Sequence, residues 1–102
     1  MSVRREVEIE ASPEEVWDAL ATEEGRERWL EEDPEREIHV ELADEPSRLV
    51  WWWWRGEEPA TRVEVLVVAA PAGARVVVVE SRPAFPLVAL ATALGISPLV
   101  AA

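Results

Sequence analysis

Few side chains in this sequence could carry out chemistry. The 102 residues include one histidine and no cysteine, lysine or tyrosine, which excludes disulfides, thiol nucleophiles, Schiff bases and phenolic acids. The sequence also lacks a Ser-His-Asp pattern, a His-Glu-x-x-His motif and a glycine-rich phosphate loop. In the predicted strands, Glu64 and Glu80 are the carboxylates that could act as an acid or a base if buried. Catalysis is therefore not expected, although a small cyclase or hydrolase stays open as an alternative.

The single histidine, His39, alternates with Glu37 and Glu41, so three potential metal ligands share one face of a predicted strand. A zinc site of this kind would normally include a second histidine or a cysteine. A solvated or interfacial strand face explains the three side chains better. We expect no metal and no cofactor.

The charge of the chain restricts its partners. Twenty-one acidic residues against ten basic ones give a net charge of −11, and residues 65–102 hold one of those acids. Such a surface repels phosphate backbones and anionic membranes, so nucleic acid is excluded as a partner. The N-terminus lacks the apolar run of a signal peptide, which favours a cytoplasmic protein. The length predicts one domain over residues 1–102.

The positions of the candidate residues depend on an order of elements that the sequence pattern predicts. Period-two alternation over 3–11 predicts a strand, and Ser12-Pro13-Glu14-Glu15 is a helix start with a capping box. That helix should cover 13–21, with a second short helix following a cap at Thr22. Four further segments alternate or are rich in valine, and short turns make the sheet antiparallel. These predicted strands are Arg36–Leu42, Arg48–Arg55, Thr61–Ala69 and Ala74–Ser81.

The last twenty residues, 83–102, carry no charge. A segment of this length could span a membrane. Four residues that break helices interrupt it: Pro83, Pro86, Gly95 and Pro98. We therefore expect a helix over about 85–94 that covers the sheet, rather than a membrane anchor.

Two segments resemble a known superfamily. The run from Val7 to Leu20, followed by Arg28-Trp29-Leu30, is similar to the opening of START-like (SRPBCC) helix-grip proteins. Later strands, including Gly73–Ser81, match in order, and the nearest branch is that of homologues of the activator of heat-shock protein 90 ATPase. The resemblance implies an α+β fold in which a curved antiparallel sheet grips a C-terminal helix. Its members bind lipids, sterols, polyketides and other hydrophobic molecules, and some are cyclases or chaperone partners.

This sequence departs from the superfamily pattern in two places. The glycine-rich hairpin that usually follows the second helix is missing after Leu30, so one strand and part of the cavity wall are lost. The final helix is also short for a grip helix. Both departures predict a small pocket.

The run Trp51-Trp52-Trp53-Trp54 must point alternate indoles to opposite faces of its strand. Trp51 and Trp53 share a face with Leu49, because the three residues are spaced two apart along the strand. We assign this face to the concave side, which in the helix-grip fold meets the C-terminal helix. Trp17 and Trp29 could stack on a ligand there or could pack the helix pair on the sheet. The predicted ligand-binding residues are Trp17, Trp29, Leu49, Trp51, Trp53, Val65, Val78, Phe85, Leu87, Arg5 and Glu80.

Two of these residues, Arg5 and Glu80, are charged, although the alternation of their strands predicts that they point to the otherwise apolar concave face. The resemblance implies that the first and last strands pair, which would bring the two charges together. Such a pair could orient a polar group of an apolar ligand, or could be a rim salt bridge of small energetic consequence.

The opposite, convex face is rich in apolar residues, which is typical of a protein interface. We expect a second copy to cover it, sheet against sheet, although the C-terminal segment could fold over it instead. The predicted interface residues are Val50, Trp52, Trp54, Leu66, Val68, Val77 and Val79.

The sequence therefore predicts a homodimeric helix-grip domain that binds a small hydrophobic ligand without transforming it. One alternative is a protein-interaction module of the chaperone-ATPase-activator type. The other is a small enzyme similar to polyketide cyclases.

Overall fold

The computed structural model describes residues 2–82 and 84–95. Its elements follow the predicted order of one strand, two helices, four strands and a final helix. Their bounds are β1 Val3–Ile9, α1 Pro13–Ala21, α2 Glu23–Glu27, β2 Arg36–Asp44, β3 Arg48–Arg55, β4 Thr61–Ala70, β5 Gly73–Glu80 and α3 Leu87–Leu94.

The five strands form one antiparallel sheet in the order β1-β5-β4-β3-β2. β1 pairs with β5, so the first strand of the chain lies beside the last. The α1–α2 pair and α3 lie on the concave face. This arrangement confirms the predicted α+β helix-grip architecture.

The start of α1 is fixed by local sequence, as the capping box predicts. The Ser12 hydroxyl accepts a hydrogen bond from the Glu15 backbone N–H at 3.2 Å, and the Glu15 carboxylate accepts one from the Ser12 N–H at 3.3 Å. Pro13 occupies the first turn, where its missing N–H costs nothing. The helix therefore begins at the predicted residue.

Strand β2 differs from its prediction. A β-bulge between Val40 and Leu42 shifts the register against β3, so Val40 pairs with Trp51 whereas Leu42 pairs with Val50. The predicted alternation put Ile38, Val40 and Leu42 on one face. Instead, Leu42 lies on the convex face, because the extra residue of the bulge reverses the alternation.

The final helix is shorter than predicted. It begins at Leu87, with Pro86 as its N-cap, so Phe85 precedes the helix. Its end follows the prediction, because Gly95 takes a positive φ of 105° and donates to the Ala91 carbonyl at 2.7 Å. The predicted interruptions at Pro83 and Pro98 lie outside the described residues.

The two N-terminal helices approach so closely that Gly25 is needed between them. A β-carbon on this buried glycine would lie 2.1 Å from the Asp18 carbonyl oxygen and 2.7 Å from the Ala19 α-carbon. These are backbone atoms, so the clash could be relieved only by moving α2 away from α1.

We therefore predict that Gly25→Ala lowers the free energy of unfolding by about 1–3 kcal/mol, as overpacking does in other cores. Urea denaturation followed by circular dichroism measures the change. Glu24→Ala, at an exposed position of the same helix, should stay within about 0.5 kcal/mol of the wild type. Equal stabilities of the Gly25→Ala and Glu24→Ala variants would contradict the close approach.

Candidate functional site

Four aromatic side chains fill the space between the sheet and the segment leading into α3. The rings of Trp29 and Phe85 lie 5.2 Å apart, those of Trp51 and Trp53 lie 5.4 Å apart, and Phe85 lies 5.9 Å from both Trp51 and Trp53. We call these four residues the aromatic cluster. The Trp29 indole N–H donates to the Ala19 carbonyl at 2.7 Å, which ties the cluster to α1. Tilted rings at these separations pack favourably.

The structure brings the predicted ligand-binding residues together, but as packed core. The nine apolar ones are all buried, and all belong to one continuous hydrophobic cluster. These residues are Trp17, Trp29, Leu49, Trp51, Trp53, Val65, Val78, Phe85 and Leu87. Their side chains fill the space between the sheet and the helices. Phe85 in particular enters that volume from outside α3.

One polar atom inside the aromatic cluster has no partner. The indole N–H of Trp51, a residue with no exposed surface, finds no acceptor within residues 2–82 and 84–95. Leaving a buried donor unpaired costs about 1–3 kcal/mol. An oxygen supplied by a bound molecule or by a water would satisfy it.

Arg5 and Glu80 pair with each other, and Glu80 also holds the chain that leads into α3. The Glu80 carboxylate accepts hydrogen bonds from the backbone N–H groups of Ala84, at 3.0 Å, and Phe85, at 2.8 Å, while Arg5 donates to its other oxygen. Arg5 also donates to the Phe85 carbonyl at 2.6 Å. The Glu80 side chain is fully buried, so this pair is a structural latch and not an exposed rim salt bridge.

An open groove of about 360 Å³ lies at the end of the sheet where β3 ends and β4 begins. We call it the end groove. Its apolar wall comes from β3, from the turn after α2 and from the start of α3, and its polar rim comes from strand ends and loops. The lining residues are Trp29, Leu30, Glu31, Arg36, Trp53, Trp54, Arg55, Glu58, Thr61, Arg82, Ala84, Pro86 and Ala89. Two of them, Trp29 and Trp53, also belong to the aromatic cluster.

Two arginines of the end groove are held by neighbouring groups. Arg55 pairs with Asp33 at 2.7 Å and with Glu35 at 3.5 Å. The backbone N–H of Glu35 and the Arg55 side chain hold the pKa of Asp33 below its ordinary value, and Asp33 in turn raises the pKa of Arg55. Arg82 donates to the Thr61 hydroxyl at 3.0 Å and lies 3.7 Å from Glu58.

The third arginine of the end groove, Arg36, has a different environment. Its guanidinium lies 5.6 Å from the centre of the Trp53 ring, which is cation–π geometry, and donates to the Glu31 carbonyl at 2.9 Å. Within the described residues, no carboxylate oxygen lies within 4.0 Å of its nitrogens. The sequence analysis missed this groove. Its one sequence signal was that arginines stand at strand ends beside the tryptophan run.

A second open groove, of about 580 Å³, lies beside the loop that joins α2 to β2. It runs between α2 and the start of β2 and shares Leu30, Glu31 and Arg36 with the end groove. Its other side chains are mostly acidic. The Arg36 side chain thus borders both grooves.

The convex face is less open than the sequence pattern predicted. Val50 and Val77 are already buried within the single chain, and Val68 is the most exposed of the seven predicted interface residues at 54%. The remaining four, Trp52, Trp54, Leu66 and Val79, are half-buried. Charged side chains share the face, notably the ion pair of Arg48 and Glu64 at 2.5 Å. Their aliphatic stems cover part of the apolar surface.

The face of β2 around His39 carries no candidate metal site. Among the described residues, no group of three histidine, aspartate or glutamate side chains is placed to hold a metal ion. Glu41 instead accepts a hydrogen bond from the Trp52 indole at 2.8 Å and pairs with Arg62 at 3.5 Å. In the same part of the chain, no helix is long and apolar enough to cross a membrane.

Comparison with solved structures confirms the fold. Neither a protein-family model nor a curated protein matches the sequence. The structure of the Aha1 dimer from Colwellia psychrerythraea matches with a TM-score of 0.73 and 17% identity, over 96% of this chain and 98% of that chain. Protein MLL2253 from Mesorhizobium loti matches with a TM-score of 0.66 and 20% identity, over 81% of this chain and 79% of that chain. CalU16 from Micromonospora echinospora matches with a TM-score of 0.61 and 20% identity, over 78% of this chain and 57% of that chain.

We predict that Glu80→Ala lowers the free energy of unfolding by about 3–5 kcal/mol, because it removes one partner of a buried ion pair. It also leaves two backbone N–H groups without an acceptor. Glu80→Gln should cost less, since both N–H groups donate to the same Glu80 oxygen and an amide oxygen in its place can still accept both hydrogen bonds. Urea denaturation measures both changes.

The matched control for Glu80 is Glu64→Ala, which removes the carboxylate of the partly exposed Arg48 pair. Its cost should stay within about 1 kcal/mol, as for other exposed ion pairs. A loss on Glu80→Ala no larger than that of Glu64→Ala would show that the latch does not stabilise the fold.

Proposed function

We propose that this helix-grip domain binds a small hydrophobic ligand in the end groove and does not transform it. The observation that carries the proposal is the groove itself, with Trp29 and Trp53 of the aromatic cluster on its wall. Its volume of about 360 Å³ falls within the ~300–1,000 Å³ that is usual for small-molecule sites. Apolar walls with a few polar groups at the rim are typical of such sites.

The filled interior limits the size of the ligand. A molecule in the end groove contacts Trp29 and Trp53, which are the outer members of the aromatic cluster, while Trp51 and Phe85 lie behind them. The unpaired N–H of Trp51 supports a deeper entry for a ligand oxygen when the cluster opens. A compact aromatic or branched molecule fits this site better than a long lipid chain.

The arrangement of carboxylates supports binding more than catalysis. Glu80 is saturated by Arg5 and two backbone N–H groups, so it has no free oxygen for a substrate proton. Glu64 pairs with Arg48 on the convex face. The cyclase alternative would therefore need Glu31 or Glu58, the two carboxylates that line the end groove.

Ala89→Phe should weaken binding of a neutral apolar probe by about tenfold or more, because the added ring fills the end groove. N-phenyl-1-naphthylamine is a suitable probe, since its fluorescence rises in apolar sites. Ala93→Phe is the matched control, because Ala93 is exposed on α3 and does not line the groove. Equal weakening by both variants, or by neither, would place the probe elsewhere.

Native mass spectrometry of the protein purified from its own host would test the proposal independently. A stoichiometric adduct of small mass would identify the ligand class. A clean unliganded protein would favour the interaction module.

The filled interior also favours a second candidate function, protein binding, and the first partner that we propose is a second copy of the chain. Trp52, Trp54, Leu66 and Val79 stay half-buried on the convex face, and Val68 is exposed. The Colwellia psychrerythraea structure that shares this fold is described as a dimer. Packing of two convex faces would remove these side chains from water.

Val68→Glu should convert the dimer to a monomer, because burial between two convex faces would strip water from the added carboxylate, even with Arg75 as its cross-strand neighbour. Sedimentation equilibrium at micromolar concentration measures the state. Val88→Glu is the matched control, since Val88 is 71% exposed on α3, away from the convex face. A monomeric wild type, or a dimer that survives Val68→Glu, would contradict pairing through this face.

A further inference from the structure

We infer that the ligand of the end groove is an organic anion, an apolar ring or branched body that carries a carboxylate, and that Arg36 binds this carboxylate. The inference rests on the proposed ligand-binding function and names the chemical class that the groove selects. It follows from a comparison of the ion-pair and hydrogen-bond partners of the three arginines that line the groove, and from the negative net charge of the chain.

Arg36 has hydrogen-bonding capacity that the protein does not use. A guanidinium carries five N–H donors in one plane. The described residues supply one acceptor, the Glu31 carbonyl, and no carboxylate partner. The guanidinium lies over the Trp53 ring, 5.6 Å from its centre, beside the wall of the end groove, so the donors that do not bind the Glu31 carbonyl are available to a ligand there.

The two neighbouring arginines have their partners, and this difference selects Arg36. Asp33 and Glu35 neutralise Arg55, and Glu58 lies beside Arg82. Glu31, the other carboxylate of the lining, provides its backbone oxygen to Arg36 and forms no ion pair with it within the described residues. A ligand carboxylate would thus meet, at one place on the rim, a guanidinium with no carboxylate within 4.0 Å among the described residues, although Arg36 is near enough to Asp33 to help lower the pKa of that carboxyl.

The strongly acidic surface makes this position selective. A net charge of −11 repels anions at long range, so a free inorganic anion gains little by approaching. At ordinary ionic strength this repulsion fades beyond about 10 Å, whereas contact with Arg36 and the indoles acts at short range. An anion must therefore bring apolar surface for Trp29 and Trp53 in order to bind.

The bidentate geometry explains why a carboxylate fits better than a neutral polar group. A planar guanidinium can donate two parallel hydrogen bonds to the two oxygens of a carboxylate, and such charged pairs are about twice as strong as neutral ones. An amide of the same shape offers one acceptor oxygen and two N–H donors, which the donors of Arg36 cannot match. Discrimination between the two should therefore be large.

The test compares two probes of nearly the same shape by isothermal titration calorimetry at pH 7, 1-naphthaleneacetate and 1-naphthaleneacetamide. The acetate should bind about tenfold or more tightly than the amide, and added salt should reduce the difference. Equal affinities would overturn the anion inference and leave the proposed function standing. The anion inference would also be overturned if N-phenyl-1-naphthylamine binds but neither the acetate nor the acetamide does. Failure of all three probes would remove the proposed function itself.

A variant pair then tests the residue. Arg36→Gln should abolish the preference for the acetate and change amide binding by less than about twofold. Arg75→Gln removes the same charge at an exposed position outside the groove and should keep the preference. An acetate preference that survives Arg36→Gln would overturn the assignment to Arg36. If Arg36→Gln fails to fold, Arg36→Lys keeps the charge without the planar fork and should lose most of the preference.

Discussion

The fold depends most on the buried carboxylate of Glu80. This one group joins the end of β5 to Arg5 on β1 and to the two N–H groups that precede α3. A carboxylate with no exposed surface is tolerated only when cations and hydrogen-bond donors surround it, and here both oxygens are engaged. The latch therefore determines where the chain turns from the sheet to the helix, and with it the position of Phe85.

Phe85 in turn determines what the interior can hold. Because the latch fixes its backbone, its ring enters the space among Trp29, Trp51 and Trp53 from the side opposite the sheet. The short α3 would by itself leave the concave face poorly covered. The aromatic cluster supplies that cover, so the small domain gains a dense core while the space for a ligand moves outward to the end groove.

Local sequence signals predicted much of this fold. The bounds of α1 and β3 agree with the prediction, because a capping box and a run of alternating large residues each act within a few positions. The faces of Trp51 and Trp53 also follow from alternation alone. The bulge in β2 was missed, since no glycine or proline marks it between Val40 and Leu42. The prediction placed Phe85 in a helix, because the Arg5 contacts of the latch, which help to hold Phe85 outside α3, span 75 to 80 positions.

The candidate site was harder to predict than the fold. Alternation gives the direction of a side chain but not the volume that remains after its neighbours are packed, so the predicted cavity residues became core. The end groove is built from the ends of elements, where Arg36, Arg55 and Arg82 come together from three distant parts of the chain. Their meeting depends on strand order and on the path into α3, which no local pattern contains.

The bulge in β2 has a consequence for how molecules of this protein can add to one another. This strand lies at the edge of the sheet, with backbone groups available to a further strand, and Val40 and Leu42 are exposed on opposite faces. A second β2 in regular register could match the alternation on one side of the bulge but not on both. Continuous growth of the sheet from molecule to molecule is thereby interrupted. The irregular residue thus acts against fibril formation in a chain whose strands are otherwise rich in valine and tryptophan.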